Sequence, residues 1–359
     1  MSNDLARYDR QMLLPGFGEK GQRRLLNSTA MVLGCGALGC VATEMLARAG
    51  VGHLIIIDRD FIELSNLQRQ VLFDENDVAD TIPKAEAAKR RIAKINSAVK
   101  VTAIVDDINH DNIERFASGV DVLVDGLDNF ETRYLANDLA VKQSLPYVYG
   151  AAVGTTGMAF TILPHGSGKA AWENDGFATP CFRCLFEEAP PLGSSATCDT
   201  VGVIGSAVGI VANFQVAETL KILTGNFARV SRTLLNLDLW ANEVMQLKVD
   251  NAWEKGDCPC CKQRRFDYLE GTAGSSAASL CGRNAVQLRH RQQADSIDFG
   301  ALAVRLQGAV SSNEFMLRTT VEDGGKHYDI TLFRDGRAII KGTDDASVAR
   351  SIYAKYIGS

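Results

Sequence analysis

Two apolar runs joined by a glycine-rich turn and a helix-length segment constrain this chain more than any other feature. The first run, Ala30 to Leu33, enters Gly34-Cys35-Gly36-Ala37-Leu38-Gly39. Leu38 to Ala49 then reads as a helix stopped at Gly50, and the second run, His53 to Ile57, ends in Asp58. Strand, turn, helix and strand make one βαβ unit. Its glycines permit a tight turn and close backbone approach, and the amides and dipole of the helix N-terminus favour a bound anion. Asp58 lies nineteen residues beyond Gly39, where a carboxylate can accept hydrogen bonds from ribose hydroxyls. The expected fold is α/β, a Rossmann-like doubly wound, mainly parallel sheet with a nucleotide at its strand ends. On these residues alone a dinucleotide enzyme comes first.

The rest of the chain extends the pattern. Pro83 to Asn96 has helical composition, Val99 to Val105 and Val120 to Val124 read as strands, Glu131 to Gln143 as a helix, and Tyr147 to Val153 and Gly157 to Leu163 as strands. His165 to Thr200 is loop-rich, with Gly166-Ser167-Gly168, Pro190-Pro191 and Gly193-Ser194-Ser195. Val201 to Leu223 is the longest apolar stretch, but Asn213, Gln215, Glu218 and Lys221 interrupt it. It is therefore expected as a buried helix rather than a membrane span, with Gly205 and Gly209 allowing close packing. Strands follow around Thr233 to Leu237 and Glu243 to Val249. Gly271 to Ser276 reads as a linker, so the expected division is a nucleotide-binding domain at 1–271 and a small α+β appendage at 272–359. The appendage reads as a helix (Phe299 to Leu306), three strands (Phe315 to Val321, Tyr328 to Arg334, Arg337 to Gly342) with a hairpin turn at Asp335-Gly336, and a last helix (Ala346 to Ile357).

With 46% hydrophobic residues and a net charge of -5, the chain can bury a large core and offers no general attraction to nucleic acid or anionic membrane. Its N-terminus has charges throughout and no apolar signal core, which points to the cytoplasm.

Beyond Asp58 come Asp60, then Ser65-Asn66-Leu67-Gln68-Arg69-Gln70, then Lys84. A dinucleotide has no evident use for this set. An ATP triphosphate does, since Arg69 and Lys84 can neutralise phosphate oxygens and Asn66 can add a neutral hydrogen bond. Each taken singly reads as a solvated surface group. Asp128, closing the apolar run at 120–124, is balanced between holding Mg2+ and capping the next helix. Gly168-Lys169 lacks the remainder of a P-loop.

The nine cysteines include two C-x2-C pairs, Cys181/Cys184 and Cys258/Cys261. Two such pairs match a tetrahedral four-thiolate Zn2+ site, although Cys260 leaves the choice within the second pair open. Cys198 occupies a loop position that suits a nucleophile, against which stands the plainer reading of an inert residue.

Taken together, Arg7-Tyr8-Asp9-Arg10-Gln11, Gly34 to Gly39, Asp58, Ser65 to Gln70, Pro83-Lys84, Asp128-Asn129, both C-x2-C pairs and Thr197-Cys198 resemble the MoeB/ThiF family of sulfur-carrier adenylyltransferases, over roughly residues 5 to 270. The resemblance implies ATP-dependent adenylation of the C-terminal glycine of a ubiquitin-fold carrier ending in Gly-Gly. It gives the nucleotide Gly34, Gly36, Ala37, Gly39, Asp58, Asp60, Ser65, Asn66, Arg69, Lys84, Asp128 and Asn129. It gives the chemistry Arg10, Arg69, Lys84, Asp128 and Cys198, with Arg10 reaching the ATP of the neighbouring subunit in a homodimer. It implies ATP, Mg2+ and Zn2+ as cofactors. Two departures stand out: Asp80-Thr81-Ile82-Pro83 lacks a glycine often found there, and the tail lacks the cysteine loop of a rhodanese. A separate sulfur donor, such as a cysteine desulfurase or rhodanese, is therefore expected. The competing readings are an oxidoreductase on the same glycine turn, a non-catalytic partner of an activating enzyme, and an enzyme activating a small-molecule or tRNA carboxylate.

Overall fold

The computed structural model describes residues 3–165, 170–188, 201–273, 279–280, 284–288, 299–306, 310–334 and 336–357. Two compact units divide the chain, Met1–Ala273 and Gly274–Ser359.

The first unit is built on an eight-stranded sheet of order β3-β2-β1-β4-β5-β6-β7-β8. Its strands are β1 (Thr29–Leu33), β2 (His53–Ile57), β3 (Lys100–Ile104), β4 (Val122–Asp125), β5 (Tyr147–Val153), β6 (Thr156–Ile162), β7 (Thr233–Asp238) and β8 (Glu243–Lys248). Pairing is parallel from β3 to β5 and antiparallel from β5 to β8. The longer helices are α1 (Gly18–Leu26), α2 (Ala37–Ala49), α3 (Lys84–Ile95), α4 (Phe130–Gln143) and α5 (Gly205–Leu223).

Near-continuous apolar runs in the central strands explain why both faces are covered. Along β1, Ala30 and Val32 join one core cluster and Met31 and Leu33 the other; along β2, Leu54 and Ile56 oppose Ile55 and Ile57 in the same way. A strand that alternates between two apolar clusters must be sandwiched by helices, which makes the sheet doubly wound. Residues such as Leu54 and Ile56 are fully buried, and each truncation to Ala would cost about 2–5 kcal/mol.

The polar residues that argued against a membrane span become anchors of α5. Gln215 Nε2 donates to the carbonyls of Asp125 and Val148 at 2.8 and 3.0 Å, and Glu218 Oε2 accepts from Ser231 N at 2.8 Å. Among the described residues no helix is long and apolar enough to cross a membrane. The helix is not buried all round, since Ile210 is 46% exposed. Gly205 does pack closely, as an added Cβ would lie 3.2 Å from the Gln68 carbonyl oxygen, but Gly209 faces open space. The close packing expected at Gly209 does not occur, because α5 turns that face away from the sheet.

The second unit holds a six-stranded antiparallel sheet of order β11-β12-β13-β14-β10-β9. Its strands are β9 (Ser279–Leu280), β10 (Ala285–Leu288), β11 (Val310–Ser312), β12 (Met316–Asp323), β13 (Lys326–Phe333) and β14 (Ala338–Lys341), with helices α6 (Phe299–Arg305) and α7 (Ala346–Tyr356). Asp345 caps α7 through the amides of Ser347 and Val348. The expected helices and three strands are present within a residue or two. β9, β10 and β11 were not expected: they run two to four residues, too short for an alternation to register. Asp335 of the expected turn lies outside the described residues, as do Gly166 to Lys169, Pro190-Pro191, Gly193 to Ser195, Thr197 and Cys198.

Candidate nucleotide crevice and cysteine site

The turn between β1 and α2 is as tight as its glycines suggest. Gly34 has φ +86°, and a Cβ there would come within 2.7 Å of the Gly126 carbonyl oxygen. At Gly39 an added Cβ would sit 2.0 Å from the Gly34 oxygen. Backbone therefore packs on backbone, and no larger residue fits. Gly36 differs, because its nearest neighbour would be 3.9 Å away. It is the N-cap of α2 and carries no side-chain cap, so space stays open at the helix end where an anion is favoured. Ala37 is the first residue of that helix.

At the end of β2, Asp58 is fixed by the turn it faces. Its Oδ2 accepts from Cys35 N at 2.6 Å and its Oδ1 from Asp60 N at 2.7 Å. Burial raises the pKa of this carboxyl, and the nearby Lys84 charge opposes that rise. Lys84 begins α3; its amide donates to the Asp60 carbonyl at 2.9 Å and its ammonium lies 3.2 Å from Asp60 Oδ2. Only 4% exposed, Lys84 is a placed cation rather than a solvated one. The loop that brings it there runs through Thr81, which takes φ 53°. A left-handed conformation is costly for a β-branched residue. The loop thus keeps a glycine-like path without the glycine.

Ser65 to Gln70 form a turn beside this group. Asn66 is buried, and its Oδ1 accepts from Glu63 N at 3.0 Å. Arg69 Nη1 donates to the Ser65 carbonyl at 3.0 Å, and Ser65 itself is exposed.

At the end of β4 the two expected roles of Asp128 separate. Asn129, not Asp128, caps α4, its Oδ1 accepting from Thr132 N at 2.9 Å. Asp128 is exposed, with Asn129 Nδ2 3.1 Å from its Oδ1. The loop around it is held from behind by an arrangement not read from sequence. Asp125, fully buried, faces Arg133 Nε at 3.2 Å and accepts from the Tyr147 hydroxyl at 2.6 Å. Arg133 Nη2 donates to the Leu127 carbonyl at 2.7 Å. Burial raises the Asp125 pKa more than Arg133 and Tyr147 lower it; burial alone would lower Arg133, but Asp125 together with Tyr149 and Tyr147 more than offsets it. The guanidinium stays charged here. The signal available in sequence was an arginine one turn into the helix that follows the Asp125 strand end.

Arg10 stands exposed on the short helix Asp9–Met12, and its side chain makes no hydrogen bond or ion pair to another described residue. The structure thus gathers Gly34 to Gly39, Asp58, Asp60 and Lys84 and leaves Arg10 outside.

The cysteine pairs converge. The sulfurs of Cys181, Cys184, Cys258 and Cys261 all lie within 4.8 Å of one another, with Cys181 to Cys184 at 3.7 Å, Cys181 to Cys258 at 3.6 Å and Cys184 to Cys261 at 3.4 Å. Four thiolates bound at about 2.3 Å around a tetrahedral ion would be about 3.8 Å apart, so the donor set fits a closed metal site. Cys181 is held below the ordinary thiol range, first by a hydrogen bond from Cys184; Cys184 and Cys261 are raised, first by their bonds to Cys181. Cys260 falls outside the set: its sulfur accepts from Asn137 Nδ2 at 3.3 Å. Asn137 Oδ1 in turn accepts from Phe182 N at 2.8 Å, and Asp138 Oδ2 accepts from Tyr268 N at 2.9 Å. α4 thereby clamps both cysteine loops. Burial pushes Asp138 up to about 6.

A glycine turn at a helix N-terminus, a carboxylate at the end of β2, a buried lysine beside it and four converging cysteines thus share one α/β unit. The chain belongs to the ThiF family, which residues 8–260 match. It is 44% identical over 355 residues to the sulfur carrier protein ThiS adenylyltransferase of Bacillus subtilis, covering 98% of this chain and 99% of the relative. It is 36% identical over 269 residues to the SAMP-activating enzyme E1 of Haloferax volcanii, covering 75% and 93%. Escherichia coli MccB, solved with MccA-N7isoASN, shares the fold, with a TM-score of 0.58 and 23% identity over 72% of this chain and 74% of that one.

Proposed function

We propose that this chain is an adenylyltransferase that joins the AMP moiety of ATP to the C-terminal glycine carboxylate of a small ubiquitin-fold sulfur carrier. A carboxylate oxygen attacks the α-phosphorus, the bond to the β-phosphate oxygen breaks, and pyrophosphate leaves. The observation that carries this reading is Lys84, buried and fixed by its own backbone beside Asp60 and Asp58 at the mouth of the glycine turn. Two anions must meet for the reaction to occur, so the protein's contribution is alignment and charge screening. Asp58 takes the ribose, the α2 amides and Gly36 face the phosphates, and Asn66, Arg69 and Lys84 lie along the triphosphate. Lys84 and Arg69 act most strongly as charge builds on the departing pyrophosphate. Asp128 offers the exposed carboxylate that Mg2+ needs beside phosphate oxygens; once bound, the ion neutralises phosphate charge.

The four cysteines would hold Zn2+ as a structural ion, tying 181–184 to 258–261. The full-length likeness to a ThiS adenylyltransferase favours a ThiS-type carrier ending in Gly-Gly and thus thiamine-linked sulfur transfer, over a molybdopterin role. Sulfur comes from a separate donor, a cysteine desulfurase or rhodanese, in the cytoplasm. Arg10, exposed and with no side-chain partner among the described residues, acts on the ATP of a second copy in a homodimer.

The test is ATP–pyrophosphate exchange with purified ubiquitin-fold carriers and their versions lacking the last glycine. Exchange should appear with a ThiS-type carrier and vanish with the truncated one. A protein that binds NAD and ignores Mg-ATP would overturn the proposal.

A further inference from the structure

One cation at the crevice has no part in the account above. Arg59 follows Asp58 directly, and its Nη1 donates to Asp107 Oδ1 at 3.0 Å, while its Nε lies 3.8 Å from Asp60 Oδ1. Its side chain remains 21% exposed. Asp107 lies three residues beyond Ile104, the last residue of β3. The direction of the sheet then matters. The phosphate turn leaves β1, the ribose acid leaves β2, and the order β3-β2-β1 carries the same line on toward β3. A nucleotide laid from Gly36 to Asp58 therefore extends its base to the side on which Asp107 holds Arg59.

We infer that Arg59, braced by Asp107, is the wall against which the purine base of ATP stacks. This deepens the adenylation reading and rests on it. The choice of base over phosphate follows from this pairing. Burial alone would lower the Arg59 pKa, but Asp107 and Asp60, then Asp128 and Asp58, more than offset it. A guanidinium whose edge already donates to Asp107 and lies beside Asp60 has fewer N–H groups to offer a triphosphate, whereas its flat face is unaffected by the pairing. Flat guanidinium faces stack on aromatic rings, which an ammonium cannot do.

Binding to the full-length protein, measured by calorimetry with ATP, AMP and inorganic tripolyphosphate, separates the roles. Arg59→Ala should weaken ATP and AMP alike by about tenfold and leave tripolyphosphate unchanged. Arg59→Lys, which keeps the charge and loses the plane, should not restore affinity, and Asp107→Asn, which loosens the brace, should give a smaller loss. Unchanged melting temperature and zinc content of each variant exclude misfolding as the cause. If Arg59→Lys binds like wild type, or tripolyphosphate weakens in step with ATP, the residue serves phosphate and the inference is overturned. If Arg59→Ala binds all three ligands normally while wild type binds ATP, the pair only ties β2 to β3 and this inference fails alone. Wild-type protein that binds neither ATP nor AMP overturns it together with the adenylation reading.

Discussion

In the crevice, charged groups gather where four strand ends meet the loops and the helix start that follow them; Lys84 is buried, Asp128 is exposed, and the groups are held by one or two hydrogen bonds each. At the cysteine site, buried sulfurs from two distant loops are drawn together and clamped by side chains of α4. The crevice groups can therefore be changed with modest effect on the fold, because they lie at strand ends next to solvent-facing residues such as Asp128 rather than within the core clusters. The cysteine loops have no such substitute: Cys181, Phe182, Cys258 and Cys261 pack inside a core cluster, where water cannot stand in for a lost ligand to the metal that would close them. One region should report in rates and the other in stability.

The sharpest way to break that contrast is Cys184→Ser. Losing one of four ligands should abolish stoichiometric zinc binding and lower the melting temperature by about 10 °C or more, and chelation of the wild type should do the same; an unshifted melting curve would contradict it. Next comes Lys84→Ala, for which pyrophosphate exchange should fall about 10²–10³-fold in kcat with a small change in melting temperature. An unchanged turnover number at saturating ATP would show that Lys84 only tethers the nucleotide. Asn137→Ala sits between the two regions: it removes the bonds to Phe182 N and Cys260 and should cost about 1–3 kcal/mol by denaturant titration, with faster zinc release. The smallest effect is expected at Thr81→Gly. Relief of the left-handed threonine should stabilise the protein by roughly 0.5–1 kcal/mol after the entropy cost of glycine is deducted, and a loss of stability there would mean the Thr81 side chain contributes more than its backbone strain costs.

The parts of this molecule that follow from nearest-neighbour chemistry were readable in one dimension. The glycine turn, its flanking strands and α2 appear where Gly34, Gly36, Gly39 and Gly50 place them, and the doubly wound sheet follows from apolar runs with two buried faces. The cysteine pairs were visible by spacing, but not which of Cys258, Cys260 and Cys261 would converge with Cys181 and Cys184; that depends on Asn137, far away in sequence, occupying Cys260. Arg59 was hidden because its partner Asp107 lies in the loop after the neighbouring strand β3, and Arg133 because its work is done inside the protein, where a charge is unexpected. Asp128 was balanced between two roles until Asn129 proved to be the cap. The short strands β9 to β11 left no periodic trace.

The helix α4 carries Arg133, which holds the Asp128 loop, and one turn later Asn137 and Asp138, which hold the cysteine loops. Four residues of helix set these two clamps about 6 Å apart along one axis. That makes the segment between them a ruler rather than a linker. A single inserted residue would turn one clamp by about 100° relative to the other, so the chain can vary freely in its surface loops while the register of those four residues cannot drift at all.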